Sequence, residues 1–161
     1  SNMFVTGAKV INEVQGTDYL VEELGSAKIH SEVSGVAHFR MKDERSCYAK
    51  VRKLIDILPP CYSENRSFRT GAYYEKDISD MKQLLPKDPW EPYDVHVIID
   101  ELLDDGSFLE VQEDFAKNVI VGFGLLGGLT VGIVANQTLY ENGSVDVDGA
   151  DKAALFVQYC D

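Results

Sequence analysis

Two short apolar runs, Val119 to Phe123 and Leu129 to Ala135, joined through Gly127-Gly128, restrict the fold more than any other stretch of this chain. Both are rich in β-branched residues, which fit a pleated surface, and glycine reaches the positive φ that a tight hairpin turn demands. The pattern predicts an antiparallel hairpin. Neither run alternates with polar residues, so the hairpin is expected to be covered on both faces.

The flanking sequence is helical with short extended pieces. Asp94 precedes Val95, Ile98, Ile99 and Leu102 on one face, and Gly106 stops that helix; Phe108-Leu109-Glu110-Val111 then reads as a strand. Asp148 or Gly149 is expected to cap a last helix with Ala150, Ala153, Ala154, Val157 and Cys160 inward. It runs to Asp161 with no cap or tail, the pattern of a chain cut within a fold. In the first half Asp43 caps the clearest helix, with Cys47, Val51, Leu54, Ile55 and Leu58 on one face and Pro59-Pro60 ending it. Upstream, Val10, Ile11 and Val14 form a stripe that Gly16 stops, and Thr17 or Asp18 caps a turn carrying Leu20, Val21 and Leu24 inward. Val36 to Phe39, after Ser34-Gly35, reads as a short strand.

Cys61 to Pro92 has the composition of a linker, with Pro86, Pro89 and Pro92 near its end and Ile78, Met81, Leu84 and Leu85 able to form one packed turn. About 30 residues is long for a connection inside one compact domain, which places a domain junction here. The expected division is 4–60, a linker at 61–92, and 93–161. Ser1-Asn2-Met3 resembles a remnant of tag removal.

A net charge of −12 argues against nucleic acid and against an anionic membrane surface, both of which need clustered cations. It also predicts that the phosphates of any anionic ligand are held outside this chain. No apolar run reaches membrane-spanning length and no secretory signal is present, so a cytoplasmic protein is expected. Cys47, Cys61 and Cys160 are odd in number and widely spaced, the pattern of buried free thiols. His30, His38 and His96 are scattered, and no metal site is expected.

At Tyr93-Asp94-Val95 a wider arrangement comes into view. This stretch and Ile98-Ile99-Asp100-Glu101-Leu102-Leu103-Asp104-Asp105-Gly106-Ser107-Phe108-Leu109-Glu110-Val111, with Val121-Gly122-Phe123, Thr130-Val131-Gly132-Ile133-Val134-Ala135-Asn136-Gln137 and Asp151-Lys152-Ala153-Ala154, resemble the start of the C-terminal domain of biotin-dependent acyl-CoA carboxyltransferase β subunits. The propionyl-CoA carboxylases and the α subunits of sodium-pumping decarboxylases share that domain. Phe4-Val5-Thr6-Gly7, Glu22-Glu23-Leu24-Gly25-Ser26-Ala27-Lys28, His30 and Ser34-Gly35-Val36-Ala37-His38 resemble the end of the N-terminal domain. The departures are Ala8 where the family has proline, Leu125 and Leu129 where arginines flank the turn, and Thr138 where proline follows Asn-Gln. The two leucines take positive charge from what the resemblance implies is an intersubunit contact, or the departures mark a divergent branch.

The resemblance implies an α/β, crotonase-like carboxyltransferase fold, present in part: the end of the N-terminal domain plus the start of the C-terminal domain. It implies transfer of a carboxyl group between biotin, on a separate carrier domain or subunit, and the α-carbon of a short acyl-CoA. The enolate and the biotin ureido oxygen are each stabilised by backbone amides. Those amides belong to family segments lying before Phe4 and after Asp161, so no catalytic residue is expected here and the chain alone is expected to be inactive. Acyl-CoA, carboxybiotin, a biotin carboxylase and carrier, and further copies of the subunit are the implied partners. A sodium-pumping methylmalonyl-CoA-type decarboxylase subunit and a shortened, non-enzymatic assembly module are the alternatives. Isolated, the chain is expected to dimerise or exchange domains through 61–92.

The candidate substrate-binding residues are Gly35, Val36, His38, Asn136 and Gln137. His38 is a general base in one reading and a hydrogen-bonded histidine lining a pocket in the other. Asn136-Gln137 either donates hydrogen bonds into a cleft at a strand end or satisfies its own loop. Gly127-Gly128 lacks phosphate-loop spacing and reads as a plain turn. Asp104-Asp105 and Asp146 to Asp148 read as a helix end and a helix cap.

Overall fold

The computed structural model describes residues 2–59 and 81–161. Its centre is the strand β2 (Val119–Leu126), paired antiparallel on one side with β1 (Leu109–Val111) and on the other with β3 (Leu129–Asn136). The expected hairpin is present. Leu126 faces Leu129 across a two-residue turn in which Gly127 and Gly128 have φ of 57° and 78°, a backbone that suits glycine. The carboxylate of Asp104 accepts hydrogen bonds from both turn amides, at 2.9 and 2.8 Å. The aspartate expected to mark a helix end therefore holds the hairpin closed.

Successive residues of β2 point to opposite faces. Val119, Val121 and Phe123 pack with Leu109, Val111, Phe156 and Ile57, while Ile120 packs with Ile99 and Leu103. Helix α4 (Glu44–Ile57) and helix α6 (Val147–Cys160) cover the first face; α5 (His96–Leu102) covers the second. Coverage on both faces holds for β2 only. The outer strand β3 ends in alternating half-buried and exposed residues: α6 lies over Gly132 through Phe156 and Cys160, while Val134 is 44% exposed.

Helix caps and faces differ from expectation in instructive ways. Asp43 caps α4 as expected, its carboxylate accepting from Ser46 N at 2.7 Å, and that bond lowers its pKa. The buried side of α4 is Leu54, Ile57 and Leu58; Val51, Ile55 and Cys47 are exposed. Asp146, not Asp148 or Gly149, caps α6. The inward face of α6 is Gly149, Lys152 and Phe156 in place of Ala150, Ala154 and Val157. Cys47 and Cys160 are exposed, which corrects the expectation of buried thiols, and Cys61 lies outside the described residues. In α5 the inward residue after Ile99 is Leu103, not Leu102, because the chain leaves the helix at Leu103 and turns it under β2.

The N-terminal segment forms α1 (Ala8–Gln15), α2 (Val21–Gly25) and α3 (Ala27–Glu32). Gly16 ends α1 at φ 67°, as expected, but Val10 and Val14 face solvent. Neither Thr17 nor Asp18 caps α2; the Glu23 carboxylate accepts from the amide of Leu20 instead. Residues 36–39 form no strand. They run irregularly from Gly35, φ 65°, and are held by backbone bonds from Ala37 N to the His30 carbonyl and from Gln112 N to the His38 carbonyl, each 3.0 Å. Of the packed turn expected near the linker, Met81–Gln83 forms a single 3-10 turn, Leu84 and Leu85 are exposed, and Ile78 lies outside the described residues.

Candidate functional site

A cleft of ≈ 300 Å³ opens on the α4/α6 face of the sheet, lined by His38, Phe39, Leu54, Val111, Gln112, Phe123, Leu155, Phe156 and Tyr159. A smaller hollow of ≈ 230 Å³ shares His38, Phe39 and Leu54 and adds Met41, Cys47, Lys50 and Val51. Their shared wall is the irregular segment after Gly35. That segment is placed by Gln112, whose amide Nε2 donates to the Gly35 carbonyl at 2.7 Å while its backbone N–H donates to His38. Gly35 is required here: a Cβ would meet the Phe115 ring at 2.7 Å, and φ is positive. Arg40 pins the same segment from the other side, bridging Glu32 at 2.8 Å and Asp114 at 3.2 Å.

The walls are aromatic and aliphatic, with an imidazole and a carboxamide at their edge. Such a lining accepts a small apolar or bicyclic body. It offers no set of cations for phosphates; among the lining residues Lys50 is the one cation, and its ammonium lies 4.8 Å from the centre of the Phe39 ring.

The structure groups Gly35, Val36 and His38 and separates them from the other candidates. His38 is exposed and lines both cavities, Val36 is 56% exposed, and Gly35 is buried beneath them. Asn136 and Gln137 line neither cavity. Asn136 donates to the Gly143 carbonyl at 2.6 Å, and Gln137 is buried, accepting from the amide of Val95 and donating to the Asp94 carboxylate at 2.7 Å. Thr138, where the family has proline, holds the backbone of Tyr93 through both its donor and its acceptor. The end of β3 is therefore tied to the start of α5.

Beside that knot stands a histidine between two carboxylates. His96 Nδ1 lies 2.7 Å from Asp94 Oδ1, and Nε2 lies 2.7 Å from Glu110 Oε2. Partial burial alone would lower the imidazole pKa, yet hydrogen bonds and charge from Glu110 and Asp94 outweigh it and raise the value above 6.5. Burial likewise opposes ionisation of Asp94, but hydrogen bonds from Gln137 and His96 hold its pKa low.

Sequence reasoning missed Lys152. Its side chain is buried, 1% exposed, and its ammonium donates to the carbonyls of Gln112 (3.0 Å), Phe115 (2.7 Å), Ala116 (3.3 Å) and Val119 (2.7 Å). Burial pushes its pKa down to about 8, against the attraction of Glu110. The signal was the spacing Gly149, Lys152, Phe156; a count of apolar positions alone passes over the lysine.

The chain matches the carboxyl transferase domain family over residues 1–161. It is 41% identical over 163 residues to the propionyl-CoA carboxylase carboxyltransferase subunit of Haloferax mediterranei, covering 100% of this chain and 31% of that protein. The α subunit of methylmalonyl-CoA decarboxylase from Veillonella parvula is 38% identical over 162 residues, with 100% and 32% covered. Among solved structures, the hexameric transcarboxylase 12S with hydrolysed methylmalonyl-coenzyme A superposes at a TM-score of 0.92 and 36% identity, over 99% of this chain and 32% of that one. The chain thus spans about a third of the length of the curated relatives it matches. No helix among the described residues is long and apolar enough to cross a membrane. Matched over its full length, the chain belongs to the carboxyl transferase domain family.

Proposed function

We propose that these residues are part of a cytoplasmic carboxyltransferase subunit that moves a carboxyl group between biotin and the α-carbon of a short acyl-CoA. The observation that carries this reading is the agreement of both fold and sequence with carboxyl transferase proteins from end to end. Residues 4–60 close the N-terminal domain, 61–92 join the two, and 93–161 open the C-terminal domain; α4 is the helix by which the first packs on the second. The His38 cleft fits the acyl or ureido-ring body of a reactant, with Phe39, Val111, Phe123 and Phe156 against its apolar part. Carboxybiotin, when bound, supplies an activated carboxyl group. The chain's own part is to exclude water along the cleft and to fix the His38 segment. The paired amides of the reaction lie on family segments that this sequence does not contain, so the 161 residues give no turnover alone.

The likeness to the Veillonella decarboxylase subunit favours a second reading, in which carboxyl passes from acyl-CoA to biotin in a membrane-linked complex. One experiment separates them. The full-length polypeptide bearing this chain is combined with its biotin carboxylase and carrier and supplied with ATP, bicarbonate and propionyl-CoA. Formation of methylmalonyl-CoA supports the carboxylase reading. Carboxyl transfer only in the reverse direction, from methylmalonyl-CoA to biotin, supports the decarboxylase, and no transfer either way overturns both.

A further inference from the structure

Burying an ammonium is costly unless its hydrogen bonds are supplied within the protein. Lys152 has no carboxylate in contact among the described ion pairs; its four acceptors are carbonyls of one stretch, 112–119. That stretch is contorted. Gln112 and Ala116 adopt φ of 54° and 41° without being glycine, a strained conformation that persists only where the surroundings impose it. The carbonyls of both strained residues are among those that Lys152 gathers. Gln112 is also the residue that holds Gly35 through its side chain and His38 through its backbone.

We propose that Lys152 is a positioning residue: its ammonium gathers 112–119 so that Gln112 sets the Gly35–His38 wall of the cleft. The chain of contact is continuous, from α6 through the strained loop to the wall, and every link is a hydrogen bond of 3.0 Å or less. Glu110 is the charge that acts on Lys152 from β1, while Arg40 and Asp114 brace the far side of the loop. The ammonium itself is sealed from the cleft and touches no reactant.

This rests on the proposed carboxyl transfer only for its kinetic arm. In the full-length protein, Lys152→Met, Gln112→Ala and the double variant are compared by hydrogen exchange at 33–39 and by KM for propionyl-CoA. Each single variant is expected to raise exchange at 33–39 and to raise KM by about tenfold with kcat little changed, and the double variant to add nothing to either. Exchange confined to 112–119, a general loss of protection across the sheet, or additive effects would overturn the proposal. If Lys152→Met does not fold, Gln112→Ala alone decides: unchanged exchange at 33–39 overturns the link, and loosening there with β2 still protected supports it. Wild-type protein with no transfer activity counts against the proposed function and leaves the exchange result to stand by itself.

Discussion

His96 shows how a single side chain can tie three parts of this molecule together. It stands at the first turn of α5, reaches Glu110 on β1 and shares Asp94 with Gln137 at the end of β3. Its pKa is raised in the folded chain, so the protein binds its proton more tightly folded than unfolded. The stabilisation is fully present below pH 6.5 and is lost as pH rises through the folded value. Melting temperature measured from pH 6 upward is therefore expected to fall over that interval, and His96→Gln is expected to flatten the profile there. A profile of unchanged slope in His96→Gln would exclude the carboxylate pair as the cause. None of this was legible beforehand. Asp94 is legible as the residue that precedes the helix, but nothing in spacing brings Glu110 or Gln137 near it, because that meeting depends on strand register. His38 lines both cavities, while Gly35, in the same segment, is buried and lines neither. Asn136 and Gln137 line neither cavity: Asn136 holds the Gly143 carbonyl, and Gln137 reaches back to Asp94 and Val95, a long-range meeting that sequence spacing does not show.

At the level of elements, the hairpin is the best-read feature and Asp104 its missing part. Residue patterning showed two strands and a glycine turn; it did not show a carboxylate crossing from the end of α5 to accept both turn amides. Asp104→Ala is expected to cost about 1–3 kcal/mol, as two amides lose an ionised acceptor, and Asp104→Asn, which keeps one, is expected to cost less. Urea unfolding monitored by far-UV circular dichroism measures both; equal losses for the two variants would mean that charge and not pairing matters. Apolar patterning places α4, α5 and α6 and mistakes their phase, and it leaves α3 unmarked. In α6 the alanines suggest an inward face, but Gly149 allows close approach to Val119 and Phe156 packs tilted against Phe123, ring centres 4.9 Å apart, which turns Ala150, Ala154 and Val157 to solvent. In α4, Cys47 and Val51 border the smaller hollow, Ile55 faces solvent, and of that stripe Leu54 reaches the core. Apolar periodicity identifies a helix; which of two near-equal stripes is buried depends on what lies beneath it.

Across the whole molecule, the two halves separated by the long polar stretch meet in one core. Ile57, at the end of α4, packs with Leu109, Val121 and Phe156, its carbonyl accepts from Thr130 Oγ1, and Lys53 donates to the carbonyls of Gly106 and Phe108. Ile57→Ala is expected to destabilise by about 2–5 kcal/mol and to lower one shared transition. Differential scanning calorimetry that showed two transitions, with only the first moved, would mean that α4 does not couple the halves. The division at 61–92 came from composition, whereas the packing of α4 against the second half was invisible because its partners lie more than 50 residues away.

The sealed ammonium of Lys152 has one further chemical consequence. An amine that ionises at about 8 is, near neutral pH, more often the free nucleophile than an ordinary lysine, and thioesters acylate free amines. The burial that lowers its pKa also withholds it, and once exposed it would return to the basicity of an ordinary lysine. Lying 1% exposed beneath four carbonyls, it is shielded from acylation for as long as α6 stays seated on the loop, and its modification would record each occasion on which that seat opens.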